Sequence, residues 1–571
     1  MSELQTAPLT NGPMFNAYPD SIGGTLAETV QFLGRDGVRG AFASAYLLPS
    51  VFNTDLDRGF SVIDYGLNEC LATPADLEGL RALGIGLKLD FLLNHASVLS
   101  PQFQDILTNG EASPYRDFFI DWNRFWEGRG RMTEGGYIQP DEAEIRDMFM
   151  RKPGLPLLMV RFPDGRRVPY WNTFYQEVRY PRVDEQDLIR VAGLQYAAAQ
   201  RLAAAVNRAL DAGQAPEAID FGQFGRMKPQ VTEWLEAGRK YLGLMDLNIR
   251  SPLVWDYYDR TLATLAGYGA QIVRLDAFAY APKAPGKRNF LNEPDTWELL
   301  ARVRALADRY GLTLLPEIHA SYAEKTYARL AREGYPCYDF FLPGLVIDAL
   351  ERQNGDLLAR WAQEQVEKGI RSVTMLGCHD GIPLLDLKGL LTEEQIEALI
   401  RVVVGRGGLV KDLHGQKNVY YQVNATYFSA LGEDERRLLL ARAIHLFMPG
   451  KPQVWYLDLF AGRNDLAAAR GAGAAGHKEI NRTNLTAEAV ERALQQPVVQ
   501  DQLTLLRFRN ACPAFGFDAA LDIARPSVET LRLTWRGNGC EATLDANLRT
   551  LAFTVETADA AGERAPVYRQ A

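Results

Sequence analysis

The stretch AQIVRLDAF (residues 270–278) has the composition of a buried strand, but two opposite charges interrupt its apolar run. Arg274 and Asp276 are two residues apart, so on a strand their side chains lie on the same face. An arginine in that position can hold the neighbouring carboxylate ionised and oriented for chemistry. A purely structural ion pair is the alternative interpretation of the two residues.

Seven further apolar runs resemble this one, which makes eight candidate strands along the chain. They are residues 14–19, 41–49, 85–95, 270–278, 312–319, 338–344, 372–380 and 452–460. Amphipathic helical stretches separate several of them. In residues 293–311, for example, four apolar side chains recur at helical spacing: Trp297, Leu300, Val303 and Leu306. Eight strands that alternate with helices predict an α/β protein, a (β/α)8 TIM barrel with inserted loop domains.

The lengths of the connections predict the domain organisation. The barrel is expected in three parts, residues 1–95, 246–380 and 431–510. An inserted domain B is predicted at 96–245, enlarged by a helical insertion near 180–240, and a loop region like a domain B′ at 381–430. Residues 511–571 alternate apolar and polar residues around Gly537–Gly539, which predicts a small C-terminal antiparallel β-domain.

Composition excludes several classes of partner. The chain has 571 residues and a formal net charge of −9, which argues against nucleic acid or an anionic membrane as the main partner. No apolar run approaches the roughly 18 residues that a membrane span needs. The five cysteines are scattered singly, without the pattern of a zinc site or a disulfide framework. We therefore expect a cytoplasmic protein, and a neutral ligand such as a sugar is compatible with this composition.

Charged and polar residues cluster where four candidate strands end. The clusters are Asp90 with Asn94 and His95, Arg274 with Asp276, Glu317 with His319, and His379 with Asp380. Residues at the C-terminal ends of barrel strands point into one shared mouth. Three carboxylates around one pocket fit glycosidic chemistry, with a nucleophile, a proton donor and a group that stabilises the cationic transition state. Any single cluster could instead be a helix cap.

These residues also carry a resemblance to a known family. DFLLNH, VRLDAFAY, LPEIH and GCHDG resemble the four catalytic regions of the α-amylase superfamily (glycoside hydrolase family 13). More narrowly, the chain is similar to the sucrose phosphorylases and related α-glucosyl phosphorylases over nearly its whole length. The supporting stretches include YPDSIGG (18–24), DRGFSVIDY (57–65), YDFFLPG (338–344) and EINRTNL (479–485).

The resemblance implies an activity and a set of catalytic residues. Asp276 would be the nucleophile, Glu317 the general acid/base and Asp380 the transition-state stabiliser. The implied reaction passes the glucosyl unit of sucrose or a related α-glucoside to inorganic phosphate, with retention, through a covalent β-glucosyl-enzyme. The product would be α-D-glucose 1-phosphate. The donor glucosyl unit would be held by Asp57, His95, Arg274, His379, Arg482 and Phe174.

The resemblance also implies that the enzyme needs no metal and no organic cofactor, although Asn94 matches a calcium-binding position of the α-amylases. The partners are then the small-molecule glucoside and phosphate, and the choice between monomer and homodimer stays open.

Several positions depart from the family pattern. The usual LDTHDGIG reads LGCHDGIP here, with Gly377, Cys378 and Pro383, and the acceptor loop KDLHGQKNVYYQ also differs. These changes leave the acceptor open among fructose, a phosphorylated fructose, glycerol, glycerate and another alcohol. Phosphate is expected to meet Arg151 and Lys152, for which a solvated basic pair is the alternative. His414 and Lys417 in the acceptor loop are further phosphate or acceptor candidates.

Two other functions share most of these features. An α-glucoside hydrolase or transglucosylase would use the same catalytic residues, so the motifs do not separate it from a phosphorylase. A non-catalytic carbohydrate-binding relative is disfavoured because all three carboxylates are kept.

Overall fold

A computed structural model describes residues 9–150, 154–412 and 420–571, and it divides into two compact units. Within those ranges, the first unit comprises residues 9–95, 142–150, 247–412 and 420–571. The second unit comprises residues 96–141 and 154–246. Among the described residues, no helix combines the length and the apolar character needed to cross a membrane.

Eight parallel strands form the centre of the first unit. In chain order, barrel strands 1 to 8 are Met14–Ala17, Ser44–Leu47, Gly86–Leu92, Ala270–Asp276, Thr313–Pro316, Cys337–Asp339, Ser372–Met375 and Lys451–Trp455. Hydrogen bonds join them in the order 5-4-3-2-1-8-7-6, which is the order of neighbours around a barrel. Each predicted strand overlaps one of these, and the predicted TIM barrel is confirmed.

The barrel strands are largely apolar, as strands buried on both faces are, with polar exceptions such as Arg274 and Asp276. In strand 1, for example, Met14, Phe15 and Ala17 are fully buried. Several helices bury one face, whereas helix Leu342–Arg352 is buried on all sides from Leu342 to Leu350. In helix Asp295–Asp308 the buried face is the predicted stripe, with the correction that Ala307 is buried where Leu306 was expected. Ala307 lies seven residues after Leu300, close to two full helical turns, so it returns to the buried face. Leu306 lies six residues after Leu300 and points away from that face.

The first unit contains the following helices: Leu26–Gly34, Pro74–Ala82, Glu142–Ile145, Pro252–Gly267, Asp295–Asp308, Thr326–Arg332, Leu342–Arg352, Asp356–Glu367, Glu393–Gly405, Tyr427–Ala430, Glu435–Phe447, Tyr456–Leu459, Leu466–Gly471, Ala487–Leu494 and Pro497–Ala511. A two-stranded sheet pairs Phe52–Thr54 with Val62–Leu67. A three-stranded sheet after barrel strand 7 contains Ile382–Pro383, Tyr420–Asn424 and Leu409–Asp412 in that order. The loop region predicted at 381–430 therefore has regular structure of its own.

The C-terminal segment forms a five-stranded antiparallel sheet, as its alternating pattern predicts. Its strands are Ala520–Ala524, Thr530–Gly537, Cys540–Asn547, Phe553–Ala558 and Arg564–Gln570. Asn538 and Gly539 make the two-residue turn between the second and third strands, with φ values of 49° and 74°. Positive φ at both positions is what an Asn-Gly hairpin turn requires.

The second unit has a small core and helices of its own. Its helices are Pro101–Asn109, Trp122–Phe125, Glu185–Ala192, Tyr196–Asp211 and Lys228–Ala237. Its strands are Gly130–Met132, Ile138–Pro140, Leu157–Arg161, Arg167–Trp171, Gln176–Arg179 and Lys240–Asp246, and the short strand His95–Ser97 begins at the chain boundary of the unit. Residues of the helical insertion, among them Leu202, Val206 and Leu235, pack into one buried cluster. This is the packing role that their apolar stripes indicate.

Candidate active site

Barrel strands 3, 4 and 5 bring an arginine against three carboxylates. Arg274 pairs in register with Asp90 on strand 3, and its Nη1 donates to Asp90 Oδ1 at 2.6 Å and to Asp276 Oδ1 at 2.8 Å. Its Nη2 lies 2.9 Å from Glu317 Oε1, just beyond the end of strand 5. Tyr46 donates its hydroxyl to both oxygens of Asp90, at 3.0 and 2.8 Å. One buried guanidinium therefore fixes the two carboxylates predicted to be nucleophile and acid/base.

The same arrangement decides where a proton lies. Burial raises the pKa of Asp276 to about 8, because Arg274 divides its charge among three carboxylates and does not compensate. Burial also opposes ionisation of Glu317, but the charges of Arg274 and His319 outweigh it and lower the pKa to about 2. Arg274 therefore orients Asp276 as expected, whereas the expected ionisation of Asp276 does not follow. Near neutral pH the two carboxyls hold one proton between them.

The third predicted carboxylate, Asp380, lies in the loop after barrel strand 7. His379 Nε2 is 3.1 Å from Asp380 Oδ2, and Lys478 Nζ donates to Oδ1 at 2.8 Å. Arg482 Nη2 lies 3.7 Å from the same oxygen. Burial would raise the pKa of Asp380, but these three neighbours hold it well below its usual range. Asp380 is therefore ionised at neutral pH.

Two predicted donor-binding residues join this cluster. Arg482 Nη1 lies 3.5 Å from Asp57 Oδ1, and Lys478 Nζ lies 3.7 Å from Asp57 Oδ2. Arg482 also donates its Nε–H to the carbonyl oxygen of His379 at 2.8 Å. Asp57 keeps 43% of its side chain exposed, so it faces solvent while Arg482 is buried. Lys478 and Arg482 therefore each contact both carboxylates, those of Asp57 and Asp380.

A phenylalanine organises the two predicted histidines. Phe60 stacks on the His379 ring, with centroids 4.9 Å apart and planes inclined by 9°. The carbonyl oxygen of Phe60 lies 3.1 Å from His95 Nε2, and Arg274 Cζ lies 5.6 Å from the Phe60 ring centroid. Phe60 was not predicted, although it lies within DRGFSVIDY, one of the stretches that carry the resemblance.

Six of these groups line one cavity, whose empty space, including the part open to solvent, is about 360 Å³. Its lining residues are Tyr46, Arg274, Glu317, His319, Tyr338, Phe340, Met375, Cys378, His379, Asp380, Gly381, Pro383, Gln422 and Gln453. The wall combines aromatic rings with a few charged groups, which is the surface that sugar rings and their hydroxyls need.

Four other predicted residues, Asp57, His95, Asp276 and Arg482, are not among the residues that line this cavity. Phe174 belongs to the second unit. The phosphate or acceptor candidates Arg151, Lys152, His414 and Lys417 lie outside the described residues. Their roles stay predictions.

The departure of Gly377 from the family motif has a reason visible in its contacts. Gly377 donates its N–H to Asp458 Oδ2 at 2.9 Å, and a Cβ at Gly377 would come within 2.8 Å of the same oxygen. The aspartate usual in the family would place a second carboxylate against Asp458. The carboxylate of Asp458 instead approaches from the segment after barrel strand 8. Cys378 lines the cavity, and its Sγ lies 3.5 Å from the carbonyl oxygen of Gly381.

Asn94, the residue at the α-amylase calcium position, is bound to an ammonium group of the chain itself. Lys283 Nζ donates to Asn94 Oδ1 at 2.9 Å, and both residues are buried. Among the described residues, no group of three or more His, Cys, Asp or Glu side chains has the arrangement of a metal site. The prediction that no metal is needed stays a prediction.

Sequence reasoning also missed Lys478, which makes the closest contact of the Asp380 carboxylate. It lies directly before the stretch EINRTNL (479–485) that carries the resemblance and four residues before Arg482, so its proximity to Arg482 was a usable signal. Tyr46 and Gln453 were missed because each lies within an apolar barrel strand, where a single polar residue carries no positional signal.

Comparisons with known proteins relate the chain to phosphorylases of sucrose and of its phosphate ester. The chain is 50% identical over 558 residues to the sucrose 6(F)-phosphate phosphorylase of Ilumatobacter coccineus, and the alignment covers 96% of each chain. It is 29% identical to the sucrose phosphorylase of Streptococcus mutans, over 97% of this chain and 98% of that one. The crystal structure of sucrose 6F-phosphate phosphorylase from Thermoanaerobacter thermosaccharolyticum superposes with a TM-score of 0.80 at 30% identity, covering 99% of both chains. No family model matches the chain.

Proposed function

Because the chain belongs to the sucrose phosphorylase family of α-glucosyl phosphorylases, we propose that its glucosyl donor is sucrose 6F-phosphate and that phosphate takes the glucosyl unit. The observation that carries this choice of donor is the 50% identity, over 96% of both chains, to a protein named for that substrate. The products are then α-D-glucose 1-phosphate and fructose 6-phosphate. The departures in the acceptor loop and at Gly377, Cys378 and Pro383 fit an acceptor other than plain fructose.

The first chemical step breaks the glycosidic bond. A carboxylate oxygen of Asp276 attacks the anomeric carbon and forms the β-glucosyl-enzyme, while Glu317 passes its proton to the departing fructosyl oxygen. In the second step a phosphate oxygen attacks the same carbon from the opposite face and Asp276 leaves. Glu317 takes back the proton of the attacking phosphate. Two inversions give net retention of the α-configuration.

Arg274 supports the proton transfer that these steps require. Burial raises the pKa of Asp276, and Arg274 with His319 lowers that of Glu317, so the pair favours the proton on Asp276, whereas the first step needs it on Glu317. A glucoside whose glycosidic oxygen approaches Glu317 weakens the 2.9 Å contact between Glu317 and Arg274. More of the guanidinium charge then acts on Asp276. This lowers the pKa of Asp276 and moves the proton to Glu317.

The cluster around Asp380 is proposed to hold the hydroxyl groups of the glucosyl unit. Asp380 and Asp57 offer ionised acceptors, and Lys478 and Arg482 offer donors. Charge-assisted hydrogen bonds of this kind are roughly twice as strong as neutral ones. A glucosyl unit that enters between these pairs exchanges their mutual contacts for contacts with its hydroxyls, so specificity for the sugar configuration resides here. The reaction is proposed to need no cofactor besides phosphate.

The proposed function is tested by following the products from two donors. Purified protein is incubated with sucrose 6F-phosphate or with sucrose, each with and without phosphate, and glucose 1-phosphate and free glucose are measured. We expect glucose 1-phosphate only when phosphate is present, with kcat/KM at least tenfold higher for the phosphorylated donor. Equal release of free glucose with and without phosphate would instead identify a hydrolase. A preference for plain sucrose would contradict the proposed donor.

A further inference from the structure

Asp386 is a buried carboxylate that the proposed mechanism does not use. It lies in a short 3₁₀ turn, Leu385–Leu387, in the segment after barrel strand 7, and is 4% exposed. Its Oδ1 is 3.4 Å from Nδ1 of His319. A carboxylate with so little contact with water needs a charged partner, and His319 is placed to be one.

His319 connects this carboxylate with the proposed acid/base. It follows Glu317 by two residues, and its Nε2 lies 3.4 Å from Glu317 Oε1. Phe340 covers one face of the imidazole, with ring centroids 3.9 Å apart and planes inclined by 21°. The two ring nitrogens therefore face two different carboxylates, and the aromatic stack fixes the plane in which they do so.

Two flanking carboxylates favour the charged form of the imidazole. Burial alone would lower the pKa of His319, but Asp386 and Glu317 together raise it to about 10. The other ionisable groups that line the same cavity are Tyr46, Arg274, Tyr338, Cys378, His379 and Asp380. Of these, Arg274 opposes a positive charge on His319. The contribution of Asp386, on the other side of the imidazole ring, is therefore needed to keep that charge.

The contacts of Glu317 are divided between its two oxygens. Oε1 faces both Arg274 Nη2, at 2.9 Å, and His319 Nε2, at 3.4 Å. Oε2 accepts a long hydrogen bond, 3.4 Å, from the Ala277 N–H. The oxygen held by cations is poorly suited to carry a proton, so Oε2 is the one that exchanges protons with substrate.

We propose that Asp386 is a positioning residue, which keeps His319 charged and oriented so that the imidazolium holds Oε1 of Glu317 and leaves Oε2 for proton transfer. This inference rests on the proposed function insofar as Glu317 is the acid/base there. When substrate weakens the contact between Arg274 and Glu317 during the reaction, His319 is the cation that continues to hold Glu317. It therefore stabilises the Glu317 carboxylate in the glucosyl-enzyme, where Glu317 acts as base.

The charge of His319 can be measured directly by NMR with histidine-selective 13C labelling, since the chain has only six histidines. The His319 signal is assigned by its loss in His319→Gln. We expect no titration of this signal between pH 5.5 and 9 in the unsubstituted protein. In Asp386→Asn, which keeps the shape of the side chain, we expect a midpoint below pH 8. A midpoint below pH 8 in the unsubstituted protein overturns the proposal, whether or not Asp386→Asn folds.

Kinetics of phosphorolysis test whether Asp386 acts through His319. We expect Asp386→Asn to lower kcat/KM at pH 8 at least tenfold, and the ratio of kcat/KM at pH 8 to that at pH 6 to fall at least fivefold. The double variant Asp386→Asn/His319→Gln should be no slower than His319→Gln alone, because both changes then remove one interaction. If the two single-variant losses of kcat/KM multiply in the double variant, Asp386 acts independently of His319 and the proposal is overturned.

Asp348→Asn is the matched control. Asp348 is a carboxylate of similar burial, 3% exposed, and it pairs with Arg352 at 3.6 Å on helix Leu342–Arg352. We expect this variant to keep kcat/KM within twofold and its pH profile unchanged. An equal change of profile in Asp348→Asn would mean that the effect is general and would refute a specific role of Asp386. The NMR titration needs no turnover, so a protein that releases no glucose 1-phosphate refutes the proposed function while the titration still decides the inference.

Discussion

At the scale of single residues, Asp276 is the group on which the proposed chemistry depends most directly. The substitution Asp276→Asn would keep the size of the side chain and its contact with Arg274, but the resulting amide could not form a glycosyl ester. We expect this variant to lower kcat for phosphorolysis by at least about 10³-fold, because the covalent route is removed. Donor binding, measured as a rise in melting temperature with sucrose 6F-phosphate, should persist. Activity within tenfold of the unsubstituted protein would show that another residue is the nucleophile.

The proton shared by Asp276 and Glu317 predicts a pH dependence. The first step requires one proton on this pair, and the pKa of about 8 at Asp276 describes its loss from the free enzyme. We therefore expect kcat/KM to fall as pH rises through about 8, tenfold per unit above it. On the acid side, the pKa of about 2 at Glu317 puts double protonation below the range in which the protein is assayed. Initial rates at low donor concentration between pH 5 and 10 test this, and a flat profile up to pH 9.5 would contradict it.

At the scale of structural elements, the turn after barrel strand 7 depends on the missing side chain of Gly377. A methyl group there would meet Asp458 Oδ2 at 2.8 Å and Oδ1 at 2.9 Å, so the segment that carries His379 and Asp380 would have to move. We expect Gly377→Ala to cost about 1–3 kcal/mol of unfolding free energy. We also expect it to lower kcat at least tenfold, because displacements near 1 Å cost that much in a positioned site. Thermal unfolding and initial rates measure both effects.

Gly405→Ala is the control for that substitution. Gly405 ends helix Glu393–Gly405, and apart from its chain neighbours and the backbone of its own helix no atom lies within 4 Å of the position that its Cβ would take. Alanine favours helix relative to glycine, so stability should stay equal or rise slightly, with kcat unchanged. If both alanine variants lose activity to the same extent, the close contact with Asp458 is not the reason why residue 377 must be glycine.

The elements that the sequence predicts well are those whose pattern is local. All eight barrel strands were recognisable because strands buried on both faces are continuous apolar runs, and the Asn538–Gly539 turn because its dipeptide is diagnostic. Asp276, Glu317 and Asp380 were recognisable because they end such runs. Lys478 and Asp386 end no such run, and the signal for Lys478 is its position four residues before Arg482. Lys478 lies 98 residues from Asp380 in the chain, and only the fold brings the two together.

At the scale of the whole molecule, the site is held together by charges that belong to the chain itself. Arg274 faces three carboxylates, and Lys478 and Arg482 face two more. Carboxylates at this density commonly attract a divalent cation in other enzymes. Here each of these five carboxylates contacts an arginine or a lysine, so a metal would have to displace or join a cation of the chain. The same holds at Asn94, whose Oδ1 binds the Lys283 ammonium.

This arrangement predicts how the protein responds to removal of metals. Calcium at the Asn94 position would have to displace the ammonium of Lys283 from its 2.9 Å contact, which leaves a buried cation without that partner. We therefore expect dialysis against EDTA to change the melting temperature by less than about 1 °C and to leave kcat within twofold. In Lys283→Met the ammonium is gone, and added calcium should then raise the melting temperature more than it does in the unsubstituted protein. A loss of activity in EDTA that calcium restores would show that the internal lysine does not substitute for a metal.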